Sequence, residues 1–315
     1  LGLSNGGCSL FADPQRLRIL GLSGSIPSKV IEQFKGKFSK ETEYTAAKTP
    51  PELWQALQEF NQSAETDKIP DVMGLSDGWL DAAIAQSLIR PFEAPELAQI
   101  PQWQQLDPKW KSLVTRNNKV WGVPYRWGTT VIAYRADKVP FEISSWADLW
   151  RPELKRRLSL PDDAREAIGL TLKKLGKSYQ TADLNAIASL ATELKLLNAQ
   201  ARLYSSDTYL QPLMIDDTWV AVGWSQDIRR AQQQEPHIKV VIPKEGTALW
   251  CDLWVLPKHK TSQPARPQNL INAQQWINFC LQPEIAAQIT ALTDATATIL
   301  ALDKLPASVK ANPVK

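Results

Sequence analysis

Histidine is nearly absent from this chain: 315 residues hold two, His237 and His259, beside three cysteines and two methionines. The side chain most used for proton transfer near neutral pH is therefore scarce, which weighs against acid–base catalysis, and no clustered metal-ligand spacing occurs. Cys8, Cys251 and Cys280 are too few and too far apart for a disulfide framework; the last two lie in apolar segments and read as small buried hydrophobes. Glycine is sparse at 14 residues, and no Walker-type phosphate loop is present, so nucleotide chemistry is not expected. None of the six tyrosines are neighbours, so the paired anionic ligands of a ferric-ion receptor are missing. No metal or other cofactor is expected. No run of 18 apolar residues exists to span a bilayer. The 36 basic residues exceed the 33 acidic ones by only three and are evenly scattered, so no nucleic-acid partner is expected.

What is present is ordinary in bulk and unusual in detail. A hydrophobic fraction of 43% with 22% charged residues describes a globular protein, and 315 residues suit two lobes better than one. Thirteen tryptophans and 22 prolines stand out, and plentiful aromatic surface beside scarce histidine tilts the expectation from catalysis toward binding. The first nine residues lack the charged start and apolar stretch of a complete signal peptide. Small residues before Cys8 resemble the end of a bacterial lipoprotein signal, whose cysteine receives a lipid, although Asn5 stands where that pattern wants an aliphatic residue. The alternative is a loose tail with an incidental thiol.

Hydrophobic periodicity yields short strand-like runs separated by helical patterns. Strands are expected at 18–22, 43–47 and 70–76, with helices at 29–38, 51–61 and 79–88. The stretch from Lys119 to Tyr134 is too long for one buried strand and is interrupted by Pro124 and Gly128, so two strands joined at Tyr125–Thr129 are expected. The α/β pattern then restarts: helices at 146–156, 165–175 and 184–199, strands at 158–160, 202–205, 219–224, 238–242 and 248–256, and a long helix from Leu270 to Leu292, broken near Pro283. Alternating strands and helices imply largely parallel sheets that bind ligands at the carboxyl ends of their strands. Two such lobes joined by two extended crossings suit a clamshell, and a monomer is expected.

Four local clusters carry candidate chemistry. Asp163 followed by Glu166 at a strand-to-helix junction is either a capping box or an acidic cation receptor, and spacing alone leaves both open. Trp250 and Asp252, two apart in a strand, share a face with Trp254; an indole beside a carboxylate suits an alkylammonium ion, and an aspartate in so apolar a run requires a partner. Trp224 ends a strand and, taken alone, reads as core. Gly74-Leu-Ser76-Asp-Gly78 matches a nucleophile elbow, but its only candidate bases are His237 and His259 and no oxyanion loop precedes it, so a serine hydrolase using Ser76 is the lesser alternative. Catalytic residues are not expected. Arg126, in the first crossing, is either a solvent-facing hinge residue or a cation that would repel a polyamine or select a solute with an acidic group.

The segments Val123-Pro-Tyr-Arg-Trp-Gly-Thr-Thr-Val-Ile-Ala-Tyr134, Ser145-Trp-Ala-Asp-Leu-Trp150, Leu160-Pro-Asp-Asp-Ala-Arg-Glu166, Val241-Ile-Pro-Lys-Glu-Gly246 and Trp250-Cys-Asp252 together resemble the periplasmic spermidine/putrescine-binding receptors of polyamine ABC importers. The likeness runs from about residue 16 to 305. It implies an α/β clamshell of two mixed lobes joined by a two-crossing hinge, with a tail at 1–15, one lobe at 16–128 and 253–296, and the other at 129–252 and 297–315. It further implies a periplasmic receptor, an inner-membrane permease as partner and a polyamine as ligand. The acidic positions of that family fall on Asp163, Glu166 and Asp252, its rings on Trp224 and Trp250, and a polar contact on Ser76, with Ser23 and Trp79 expected to add ligand contacts from the first lobe. The first-lobe wall departs from it: Leu22-Ser23 replaces a Trp-Thr pair, Gly78 replaces a tyrosine with Trp79 next along, Ala295 replaces another tyrosine, and the sequence ends at Lys315 before a further polar contact.

Overall fold

The computed structural model describes residues 16–38, 41–63, 69–258 and 267–299. The chain begins with β1 (Leu17–Leu22), α1 (Ser28–Lys37), β2 (Thr42–Ala47), α2 (Pro50–Gln62) and β3 (Val72–Ser76). Local chemistry sets these starts. Thr49 caps α2 by accepting from the Glu52 amide at 3.3 Å, and Pro50 and Pro51 occupy the first turn, where a missing N–H costs nothing. After β3 a 3₁₀ turn (Asp77–Trp79) leads into α3 (Leu80–Ala85), which stops short of the expected Leu88 because Ser87 takes a left-handed φ of 55°. The proline- and tryptophan-rich stretch folds as β4 (Ile89–Arg90) and three short helices, α4 (Ala94–Ala98), α5 (Pro101–Gln105) and α6 (Pro108–Leu113), each with a proline at its first or second position. β5 (Thr115–Arg116) and β6 (Lys119–Val120) form a small hairpin whose two turn residues, Asn117 and Asn118, both have positive φ, as a primed turn demands.

The central element corrects an expectation. Val123–Arg135 is one unbroken strand, β7, rather than two joined at Tyr125–Thr129. Pro124 is tolerated because the ladder slips there, leaving Tyr125 without an opposite residue. Beyond it come two 3₁₀ turns (Trp146–Trp150 and Pro152–Leu154) in place of an expected α-helix, since Pro152 cannot donate to a continuing ladder. Then follow β8 (Leu158–Leu160), α7 (Ala164–Lys174), α8 (Leu190–Gln200), β9 (Ala201–Tyr204), α9 (Gln211–Met214), β10 (Val220–Trp224), α10 (Ser225–Gln234), β11 (Ile238–Val241), β12 (Leu249–Pro257), α11 (Pro267–Leu281), α12 (Pro283–Thr293) and β13 (Thr296–Ala297). Pro283 breaks the long helix where the sequence placed the break.

The strands form two lobes that share β7. The first runs β2-β1-β3-β12-β7, with β1 parallel to β2 and β3, and β12 antiparallel to β3 and β7. The second runs β7-β10-β8-β9, parallel among β10, β8 and β9, with β11 also on β7. Each sheet is thus mixed, because the crossing strands run against the outer ones. Residues 123–129 of β7 pair with β12 and residues 130–134 with β10, so the strand leaves one lobe and enters the other in mid-run. At the end of the described chain, Ala297 pairs with Arg126 and Thr298 donates to the Tyr125 carbonyl, on the first lobe's half of β7.

Period-two alternation builds the second lobe's core on both faces of its sheet: Ile132, Tyr134, Val220 and Val222 pack on one side, Val131, Ala133 and Ala221 on the other. The first lobe is held by an aromatic cluster in which Tyr125 stacks on Trp254 at 4.5 Å and Trp276 meets Trp254 edge-on at 5.7 Å. Much of the tryptophan is therefore framework: Trp146, Trp254 and Trp276 are fully buried, each contributing roughly 4–6 kcal/mol of apolar burial as an upper estimate. Two of the segments that carry the family likeness are framework as well. Glu245 accepts from the Trp146 amide and the Ser145 hydroxyl, and the Trp146 indole donates to the Gly246 carbonyl at 2.9 Å.

Candidate functional site

A cleft of about 760 Å³, counting its open mouth, lies between the lobes. Its first wall comes from the carboxyl ends of the parallel strands: Ser23 after β1, Lys48 and Thr49 after β2, and Ser76 closing β3. Its second wall comes from Asp207 after β9, Trp224 closing β10, and Asp227 and Arg230 on α10. Between them the floor is formed by Arg126, Trp250 and Asp252 of the paired strands β7 and β12.

The floor is built by register. Asp252 stands opposite Ser76 on one side and Arg126 on the other. Arg126 Nε donates to Asp252 Oδ2 at 2.7 Å, with both side chains almost out of water. Burial opposes the guanidinium charge, but attraction to Asp252 and the neighbouring tyrosines outweighs it and raises Arg126 above its ordinary pKa. Arg126 is thus the partner an aspartate in this apolar strand requires, and the expectation of a solvent-facing hinge arginine is corrected. Trp250 lies flat against Gly128, where a Cβ would come within 2.2 Å of the indole; its Nε1 is buried with no acceptor among the described residues.

The second wall is organised by Tyr209. Gly223 leaves room for its ring, which a Cβ would meet at 1.9 Å. The Tyr209 hydroxyl accepts from the Trp224 amide at 3.1 Å and donates to Asp227 Oδ2 at 3.2 Å, while its ring meets Trp224 edge-on. Burial raises the Asp227 pKa, and the hydrogen bond from Tyr209 and the nearby Arg230 only partly offset this. Arg230 in turn pairs with Asp294 at 3.4 Å, and Asp207 is exposed.

Of the residues singled out from sequence, the fold brings Ser23, Ser76, Trp224, Trp250 and Asp252 together in the cleft. The other three stand outside its lining. Asp163 caps α7, accepting from the Arg165 amide at 2.8 Å. Glu166 does not complete the capping box; it turns inward beside Thr130 and Tyr179, 4% exposed, with Oε2 lacking a partner, and burial raises its pKa. Trp79 stacks one ring face on Trp54 at 4.8 Å. Trp254 shares its strand with Trp250 but packs in the core, as the aromatic cluster shows. Ala295 is buried, and Thr293 reaches the cleft instead. Where Gly78 leaves a gap, the Arg165 guanidinium of the second lobe fits, 3.8 Å from Asp77 of the first.

The sequence reading missed Asp227, Asp207, Lys48 and Arg230. Asp227 had a usable signal, since an acid three residues after a strand-ending tryptophan lies in the first turn of the next helix, at the same kind of strand end as Ser76. As for hydrolase partners, among the described residues no histidine lines the cleft: His237 is hydrogen-bonded to Glu235, and His259 and Cys8 lie outside the described residues. Cys251 and Cys280 are free and buried, as the sequence implied. Among the described residues no helix is long and apolar enough to cross a membrane.

Comparison with known proteins places this geometry. The spermidine/putrescine-binding periplasmic protein of Escherichia coli K12 is 30% identical over 288 residues, covering 91% of this chain and 78% of that protein. The putrescine-binding periplasmic protein of the same organism is 28% identical over 264 residues, covering 77% of this chain and 69% of that one. Among solved structures, a spermidine/putrescine ABC transporter substrate-binding protein from Streptococcus pneumoniae superposes with a TM-score of 0.79 at 23% identity, over 95% of this chain and 88% of that one, which shows the two-lobed clamshell fold. The family described as bacterial extracellular solute-binding protein matches residues 67–315, and with that span and those relatives the chain belongs to it.

Proposed function

We propose that the chain is the solute receptor of an ABC importer, working on the periplasmic side, whose cleft takes a polyamine or a related organic cation and passes it to an inner-membrane permease. The observation that carries this reading is the meeting, in one interlobe cleft, of two indoles, Trp224 and Trp250, with the carboxylates of Asp227 and Asp207. An ammonium group is attracted to an indole face and donates to a carboxylate, while the methylene chain lies along the rings. Ser23 and Ser76 supply polar contacts from the first wall, and Asp252 contributes through its pair with Arg126. The names of the relatives agree with an amine as ligand.

Such a receptor works by differential binding rather than chemistry. Contacts from both walls exist together only when the lobes are closed, so ligand favours closure. The Arg165–Asp77 approach across the lobes belongs to that closed arrangement. Micromolar affinity corresponds to about 8 kcal/mol, within reach of a few charge-assisted bonds at roughly 1.5–3 kcal/mol each plus indole contact, after the costs of association. Attachment of lipid at Cys8 would hold the receptor at the membrane surface; mass spectrometry of the protein from its native host tests this. The cleft reading is tested by calorimetric titration with putrescine, spermidine and spermine. Micromolar binding that weakens in Asp227→Asn is expected, and the absence of both heat and thermal shift with every organic amine would end it.

A further inference from the structure

Asp252 is the acid of the cleft floor, and the chain neutralises it internally. Arg126 and Asp252 face each other across the β7–β12 ladder, so their contact is built into the sheet and does not depend on a mobile side chain finding its partner. The contact uses only Nε of the guanidinium. Among the described residues no acceptor takes the hydrogens of Nη1 or Nη2, although the side chain is only 4% exposed and lines the cleft. The remaining donors are left for the cleft, and the planar fork is shaped to hold a carboxylate through two parallel bonds.

The rest of the lining points the same way. The acids Asp207, Asp227 and Asp252 are matched by the bases Lys48, Arg126 and Arg230, so the formal charges of the walls cancel. A dication would bring uncompensated charge into such a cleft, whereas a solute with one charge of each sign would not. The two ends of that solute have separate places: Asp227, held by Tyr209 beside Trp224, for an ammonium, and Arg126 beside Trp250 for an acid.

We infer that the cleft selects an amine that also carries a carboxylate, a chain-terminal amino acid or similar zwitterion, with Arg126 as the residue that sets this choice. The inference rests on the amine-receptor reading of the cleft and narrows its ligand class. It is tested by calorimetry on the full chain with length-matched pairs: putrescine against 4-aminobutyrate, and cadaverine against 5-aminovalerate. The amino acid of each pair is expected to bind at least about tenfold more tightly, a difference of roughly 1.4 kcal/mol. Arg126→Lys, which keeps the charge and loses the fork, is expected to remove that preference. The wild-type comparison needs no variant, so a folding defect in Arg126→Lys does not cloud it. Tighter binding of the diamines by the wild-type protein overturns this inference and leaves the amine receptor standing; binding of neither class overturns both.

Discussion

The floor of the cleft and its second-lobe wall each offer an aspartate, and the two are kept in opposite ways. Asp252 on the floor is locked at 2.7 Å to Arg126 by strand register, and both groups are nearly dry. Asp227 on the wall has a tyrosine hydroxyl at 3.2 Å and is half-buried at the start of a helix. An ion pair in a low-dielectric seam is part of the framework, since removing one member strands the other. An acid held by a neutral hydroxyl keeps most of its capacity to attract a cation. The difference makes the Asp252 carboxylate a stabilising group and leaves Asp227 as the acid for an ammonium.

Breaking the floor is expected to have the largest effect. Arg126→Met leaves Asp252 buried without its partner and should lower stability by about 3–5 kcal/mol in denaturant unfolding. Adding Asp252→Asn should recover most of that loss; if the double variant is no more stable than the single one, packing rather than charge holds the floor. The wall should respond in ligand affinity instead. Asp227→Asn removes one charge-assisted bond, so amine affinity should drop by roughly 10–100-fold, corresponding to about 1.5–3 kcal/mol.

Acidity sharpens the contrast. Burial raises the Asp227 pKa, opposed in part by Tyr209, Arg230 and Arg126, and seconded by Asp294. An ammonium needs the ionised form, so affinity should weaken as pH falls through this raised value, before an ordinary aspartate would protonate; titrations from about pH 7 down to about pH 4 should show this, and the Asp227→Asn protein should not. The same shift acts on folding in the opposite sense. The stability tied to protonated Asp227 is complete below its unfolded-state pKa and is lost as pH rises through the folded value. The smallest effect is expected at Glu166, which has neither the arginine of the floor nor the open cleft of the wall. Its pKa is raised by burial and Oε2 has no partner, so Glu166→Gln should raise neutral-pH stability by about 1 kcal/mol, a gain that disappears in acid.

Particular residues show how far the sequence could be read. Strand and helix order was legible because apolar spacing and proline punctuation are local: Pro283 marked a true break, and Pro50–Pro51 a true helix start. Trp224, Trp250 and Asp252 were legible as a set because their motifs match a known family and because residues two apart on a strand share a face. Pro124 misled, since a ladder slip can absorb a proline that looks like a strand break. Asp163 and Glu166 left two readings open: at a helix start an acid can satisfy backbone amides or turn inward, and only the packing around α7 decides which.

By itself the sequence determined the alternation of elements, the two-lobe organisation and the family, because these follow from periodicity, chain length and ordered motifs. The tertiary structure decided which acid is neutralised and which is open. Alternation along a strand states what shares a face but not what stands across the ladder. Arg126 and Asp252 are 126 positions apart, and only the register of β7 on β12 sets them 2.7 Å from each other.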